Sequence, residues 1–191
     1  MTCTGNEKFV SNGKELDITV LDFWRFSYSD LNSDPRDYLA EFLVSKALGI
    51  NIPYNKEAWT LFDILYNNTR IEVKCTGYYQ TWRTDGKVCG NRCFSIKPAH
   101  DNVKNTFERQ NDIYVFCLLL GNTREEANPL NLNNWEFYIV PTSVINEKCK
   151  DGKSIGLNRI KKLGYSALSY SDIKNEIDAI IQKKELIIKK I

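Results

Sequence analysis

Between residues 58 and 76 the chain reads AWTLFDILYNNTRIEVKCT, and its apolar positions alternate. Phe62, Ile64, Ile71 and Val73 recur at period two on either side of Asn67-Asn68, the pattern of two half-buried strands joined by a tight turn. Closing the hairpin on the two asparagines sets Tyr66 against Thr69, Leu65 against Arg70, Ile64 against Ile71 and Asp63 against Glu72. A four-residue loop gives the same register. One face then carries Phe62, Ile64, Ile71 and Val73 toward a core. The other gathers Asp63, Glu72 and Lys74.

A helical period precedes the hairpin. Asp34 as N-cap and Pro35 at the first helical position open a helix that runs to about Leu48 and stops at Gly49. Leu39, Phe42, Leu43 and Ala47 share a face that Ala40, Val44 and Leu48 widen, and Glu41 sits at its edge. After the hairpin, CFSIKP (Cys93 to Pro98) alternates as a third strand, with Lys97 able to face the hairpin's polar side. DIYVFCLLL, from Asp112 to Leu120, is apolar on both faces, the mark of a central, covered strand. WEFYIV (Trp135 to Val140) is another strand, ended by Pro141, after which Thr142 or Ser143 caps a short helix reaching about Cys149. Ser171 caps a last helix with Ile173, Ile177, Ile180 and Ile181 in register. Residues 1–13 read as loose and polar. Ile18 to Leu31, rich in aromatics, reads as a short helix or an aromatic arm over the core.

Composition narrows the class. At 191 residues, 42% hydrophobic and 26% charged, the chain suits one soluble domain with a substantial core. A net charge of +2 is mild, so any nucleic-acid surface must be local. No run of about 18 apolar residues exists, so no membrane span is expected. The first residues lack the apolar centre of a signal peptide, and six cysteines without one point to reduced thiols in a cytoplasm. Cys89 and Cys93 form one C-x₃-C pair, but no second pair stands at ligand spacing and His100 is the sole histidine. A structural zinc site, which takes four ligands, is not expected.

The chemistry concentrates on the hairpin's polar face. Two acids directly across a strand pair repel each other. A hard divalent ion such as Mg²⁺, held by one or two carboxylates and water, removes that penalty. Lys74 leans over the same spot, where an ammonium can orient a water or offset charge on a phosphate. A solvated face with an Asp–Lys or Glu–Lys ion pair explains the same residues without a ligand. Downstream, Tyr78, Tyr79, Gln80, Trp82 and Arg83 interleave aromatic and polar groups, which suits either contact with nucleic acid or a loop packed by its own rings. Arg109 precedes the central strand, placed to reach phosphate or to cap the sheet.

The order of a helix with Glu41, a hairpin with Asp63 and Glu72-Val73-Lys74, then further strands and helices resembles the PD-(D/E)xK nuclease superfamily. AEFLVSKALGI, IEVKCTGYYQTW, FSIKP and DIYVFCLLL resemble a small bacterial branch of it. The resemblance spans about residues 34–141, and 142–191 would be a helical extension of the same single domain. It implies an α/β, restriction endonuclease-like fold with a central mixed β-sheet flanked by helices. It also implies roles. Asp63 and Glu72 are the metal-binding acids, helped by the Val73 carbonyl. Lys74 is the catalytic lysine, Glu41 the helical glutamate and Gln80 a polar neighbour. Phe62 stands where the name-giving proline would be.

The expectation is therefore a Mg²⁺- or Mn²⁺-dependent nuclease, most simply a DNA endonuclease of restriction, defence or repair type. Gln80, Arg83, Lys97 and Arg109 would contact nucleic acid, and a homodimer would supply two centres for cutting both strands. The alternative is a non-catalytic nucleic-acid-binding or partner subunit that retains the fold.

Overall fold

All seven residues from Ile113 to Leu119 are buried. A strand with no polar face needs a neighbour on each edge and cover on both sides. The computed structural model, which describes residues 3–32, 35–50, 61–81, 92–101 and 105–188, supplies both. In chain order its elements are β1 (Lys8–Ser11), β2 (Lys14–Thr19), α1 (Val20–Ser27), α2 (Pro35–Ala47), β3 (Ile64–Tyr66), β4 (Thr69–Gly77), β5 (Cys93–Ser95), β6 (Ala99–Asp101), β7 (Thr106–Glu108), β8 (Ile113–Leu119), β9 (Trp135–Pro141), α3 (Thr142–Cys149), β10 (Ser154–Gly156), α4 (Leu157–Lys162) and α5 (Ile173–Ile188).

The central sheet is four-stranded and mixed, in the order β3-β4-β8-β9. β4 runs parallel to β8, while β3 and β9 run antiparallel to their neighbours. Alternation along β8 divides the interior in two. Ile113, Val115, Cys117 and Leu119 join Ile71 and Val73 of β4, Ala40, Leu43 and Val44 of α2, and Ile173 and Ile177 of α5. Tyr114, Phe116 and Leu118 face the other way, onto Phe94, Ile96, Ile145, Ile155 and Ile160. The chain is thus α/β, with helices on both faces. The residues beyond 142 do more than extend it, because α5 closes the first core.

Local chemistry accounts for most boundaries. At the end of α2, Gly49 takes φ 72°, its N–H donates to Lys46 O at 3.0 Å, and the Ile50 N–H donates to Ser45 O at 3.0 Å. That is the Schellman closure, which favours glycine at the left-handed position. The Asp34 cap lies outside the described residues. Phe42 departs from the expected apolar face. It is 48% exposed, with Lys46 Nζ 5.7 Å from its ring centre, because Ala40, Leu43 and Val44 already cover the sheet beneath.

Three other expectations are corrected. Residues 8–11, within the stretch 1–13 read as loose, pair with residues 14–19 as the β1–β2 hairpin around Asn12-Gly13, whose φ values are 50° and 76°. α3 begins with Pro141 in the N-cap position and no side-chain cap, so Thr142 and Ser143 stand inside its first turn. The final helix is entered through a capping box of Ser169 and Asp172 around a short 3₁₀ turn, rather than through Ser171. CFSIKP is a strand over β5, yet it pairs with β10 and not with the central sheet.

The lower end of the sheet is clasped by Asp112. Its carboxylate accepts from the Arg70 backbone N–H at 3.0 Å and Arg70 Nε at 3.1 Å, and from Lys184 Nζ of α5 at 3.0 Å. Partial burial works against the charged form, but the Arg70 and Lys184 bonds outweigh it and hold this carboxyl at about 2. A carboxyl depressed on folding stabilises above its unfolded value and loses that contribution as pH falls through the folded one. Asp112→Asn is therefore expected to lower the urea midpoint at neutral pH. The gap to wild type should close between about pH 4, the unfolded range of Asp, and about pH 2. A gap that stays constant down to the lowest pH would remove the clasp.

Candidate functional site

The hairpin takes the expected register, with Ile64 opposite Ile71, Leu65 opposite Arg70 and Tyr66 opposite Thr69. Asn67 and Asn68 have φ of 45° and 59°. Both are left-handed, as a two-residue type I′ turn requires, and asparagine tolerates that region better than most residues. β3 begins at Ile64, and the residue before it completes the pairing in a different way. The Asp63 N–H donates to Ile71 O at 3.0 Å, and Asp63 Oδ2 accepts from the Val73 N–H at 2.8 Å. The aspartate side chain thus occupies a place in the ladder that a backbone carbonyl would otherwise fill. In a strand the N–H and C=O of one residue point to the same edge. The Val73 carbonyl therefore faces the edge on which Asp63 sits.

Glu72 and Lys74 flank Val73 and project to the opposite face from Ile71 and Val73. Their β8 partners are Tyr114 and Phe116, so they lie beside the second core. Lys74 Nζ is 2.5 Å from Glu72 Oε1, with the two side chains 31% and 20% exposed. Burial pushes the Tyr114 hydroxyl up to about 12; Arg109 opposes the shift and the Glu72 carboxylate adds to it. Burial likewise raises the Cys117 thiol far above its usual value, helped by Cys75 and then by the charges of Asp37 and Asp63. Asp37 on α2 and Asp63 on the hairpin thus act on the same part of the first core. Glu41 is half-buried on α2, one helical turn after Asp37. Asp37 was readable as that i,i−4 neighbour of Glu41.

The remaining candidates divide. Gln80 Oε1 accepts from Arg36 Nη2 at 3.2 Å, and Gln80 Nε2 donates to Gly77 O at 3.0 Å. Arg36 is 8% exposed and also reaches Tyr79 O at 3.3 Å. A Cβ on Gly77 would stand 3.0 Å from Arg36 Nη1, so the glycine makes room for this guanidinium. Gln80 is accordingly fixed at the far end of β4. Arg109 donates to Ile96 O, Asn146 Oδ1, Lys150 O and Gly152 O, all within 2.9 Å. It staples the segment after β5 to the end of α3. Lys97 is exposed, on the side of its segment away from buried Phe94 and Ile96. Arg83, Trp82 and Cys89 lie outside the described residues.

Among the described residues, no group of three or more His, Cys, Asp or Glu could hold a metal ion. Two carboxylates and a strand carbonyl around Val73 are nevertheless hard oxygen donors. Such a set fits an ion bound through one or two carboxylates that keeps several waters. No described helix is long and apolar enough to cross a membrane.

The structural and chemical roles of Asp63 separate by substitution. Asp63→Asn keeps an oxygen that can accept from the Val73 N–H, whereas Asp63→Ala removes it. Loss of a hydrogen bond to a charged group costs about 1.5–3 kcal/mol. Denaturant titration should show a loss of that order for Asp63→Ala and a clearly smaller one for Asp63→Asn. Equal losses would mean that the bond to Val73 carries no weight. In comparison with known proteins, no protein-family model and no curated protein matches the chain.

Proposed function

We propose that the chain is a metal-dependent phosphodiesterase of nucleic acid, most simply a DNA endonuclease of restriction, defence or repair type. The observation that carries the reading is the arrangement at Val73. Asp63 is anchored on its N–H, the Val73 carbonyl shares that edge, and Glu72 and Lys74 flank it. The α2–hairpin–mixed-sheet order is consistent with a restriction endonuclease-like fold.

Asp63, Glu72 and the Val73 carbonyl would hold Mg²⁺ or Mn²⁺. Held there, the ion would supply Lewis-acid chemistry, polarising the scissile phosphate and lowering the pKa of a water. Lys74 orients that water and offsets the negative charge that develops on phosphate. The Glu72 carboxylate keeps the Lys74 ammonium in place before substrate arrives. Glu41 supports the acids from α2. Gln80, Arg83 and Lys97 serve as polar contacts to the nucleic acid, while Arg109 acts as scaffold. Two copies would supply two centres for double-strand cutting, in a cytoplasmic setting where DNA is accessible.

A second reading, a non-catalytic nucleic-acid-binding or partner subunit, is favoured by the same two contacts. The Glu72–Lys74 pair and the Asp63–Val73 bond give both acids partners without a metal.

A cleavage assay on supercoiled, linear and single-stranded substrates separates the two. The nuclease reading expects Mg²⁺- or Mn²⁺-dependent cutting that chelator abolishes. Lys74→Ala is expected to lower the rate by about 10²–10³-fold, the usual effect of removing one charge-stabilising donor. Asp63→Asn should be at least as damaging while remaining folded. Cutting that survives both substitutions would sink the assignment. Substrate binding that is indifferent to chelator, with no cutting, would favour the subunit.

A further inference from the structure

At the end of the sheet where β8 begins and β9 finishes, a cleft of about 720 Å³ opens between α3 and α5. Asp63, Glu72 and Lys74 do not line it. Its volume lies in the range of small-molecule sites. Its walls mix apolar side chains, among them Ile113, Val144, Ile180 and Ile181, with a convergent set of polar groups.

Those polar groups are incompletely used by the protein. α3 starts on Pro141, which offers no capping side chain, and the Thr142 N–H donates to Asp112 O at 2.9 Å. The next N–H groups, on Ser143 and Val144, belong to the first turn, which has no intrahelical acceptor. Thr142 is 4% exposed, and its hydroxyl accepts from Asn111 Nδ2 at 2.9 Å while its own proton meets no acceptor among the described residues. Asn111 is 5% exposed, and its Nδ2 also donates to Ile113 O at 3.0 Å. Its Oδ1 takes no hydrogen bond from the described residues, yet is not sealed from the cleft that Asn111 lines. An amide oxygen that opens on the cleft and a hydroxyl proton without an acceptor among the described residues leave one acceptor and one donor for an occupant of the cleft.

Charge favours an anion. Among the described residues, Arg109, Lys183 and Lys184 line the cleft against Asp112 and Glu176, three cations to two acids. Asp112 is already matched by Arg70 and Lys184, and the four acceptors of Arg109 are all neutral oxygens. The field of α3 points the same way, since a helix N-terminus attracts negative charge.

We propose that this cleft binds a hydroxyl-bearing phosphate monoester. The phosphoryl oxygens take the Ser143 and Val144 N–H groups, the Thr142 hydroxyl and Lys183. The ligand's hydroxyl donates to Asn111 Oδ1, and its carbon body rests on Ile180 and Val144. A phosphoryl group, with three terminal oxygens, uses this donor set more fully than a carboxylate does.

The test is a titration of the full ¹⁵N-labelled chain with glycerol phosphate, inorganic phosphate, glycerol and acetate at matched ionic strength. The readouts are the Ser143 and Val144 amide resonances and Tm. Glycerol phosphate should give saturable shifts at both amides and a rise in Tm, inorganic phosphate a weaker response, and glycerol and acetate none. Ser143→Asp places the chain's own carboxylate in the first turn of α3, which favours the helix and keeps the variant folded. It should abolish the response. Lys183→Glu should weaken it at least tenfold, and Lys74→Ala should leave it intact, which separates this cleft from the hairpin site. Absence of saturable shifts at the two amides, or the same shifts in Ser143→Asp, would overturn the proposal.

Discussion

The burial of β8 on both faces is the constraint from which the rest of the structure follows. Seven consecutive residues without a solvent-facing side chain demand two separate layers of cover. The first is helical, from α2 and α5. The second combines the β5–β10 ladder with α3 and α4. β4 is the parallel neighbour of β8, so it inherits the same two faces. Ile71 and Val73 are drawn into the first core, and period two then delivers Glu72 and Lys74 together to the other side. An acid and a lysine two residues apart on a core strand are thus held close by the sheet itself, and their 2.5 Å contact follows.

Much of this was legible in the sequence where local rules are strict. The hairpin register followed from Asn67-Asn68 and the alternation around it, because turn length and period together admit few pairings. β8 announced itself as an unbroken apolar run, and Gly49 marked the end of α2. What could not be read was partner choice over distance. Nothing in CFSIKP says that it pairs with Ser154–Gly156. Nothing around Arg109 says that its guanidinium closes on carbonyls more than 40 residues away. Caps were misjudged where two hydroxyl residues compete, as at Thr142 and Ser143, or where a 3₁₀ turn moves the cap upstream to Ser169. The first hairpin was a missed signal, since Asn12-Gly13 is among the strongest of turn pairs.

At the candidate site, the sequence named the acids but not how each is held. Facing carboxylates suggested repulsion that only a cation would relieve. The geometry gives each acid a neutral or positive neighbour within the chain: the Val73 N–H for Asp63 and the Lys74 ammonium for Glu72. This is a preorganised arrangement, in which both side chains are oriented before any ligand arrives. The same contacts serve a structural role, so the acids' presence and their chemistry are separate questions. At the other end of β4, Arg36 is seated over Gly77 and braces Gln80, which makes the strand's exit as fixed as its start.

The Asn67-Asn68 turn bears on how this chain can change over generations. Surface loops ordinarily absorb insertions and deletions with little penalty. This one cannot do so freely, because its length determines whether Asp63 arrives beside Val73. One added residue would slide β3 past β4 and carry the aspartate off its N–H, while β4, pinned to β8, stayed where it is. Glu72 and Lys74 would survive such an event and Asp63 would be displaced. The acids on the two strands therefore differ in mutational exposure: the pair on β4 is protected by the core, and the one on β3 depends on the length of a two-residue loop.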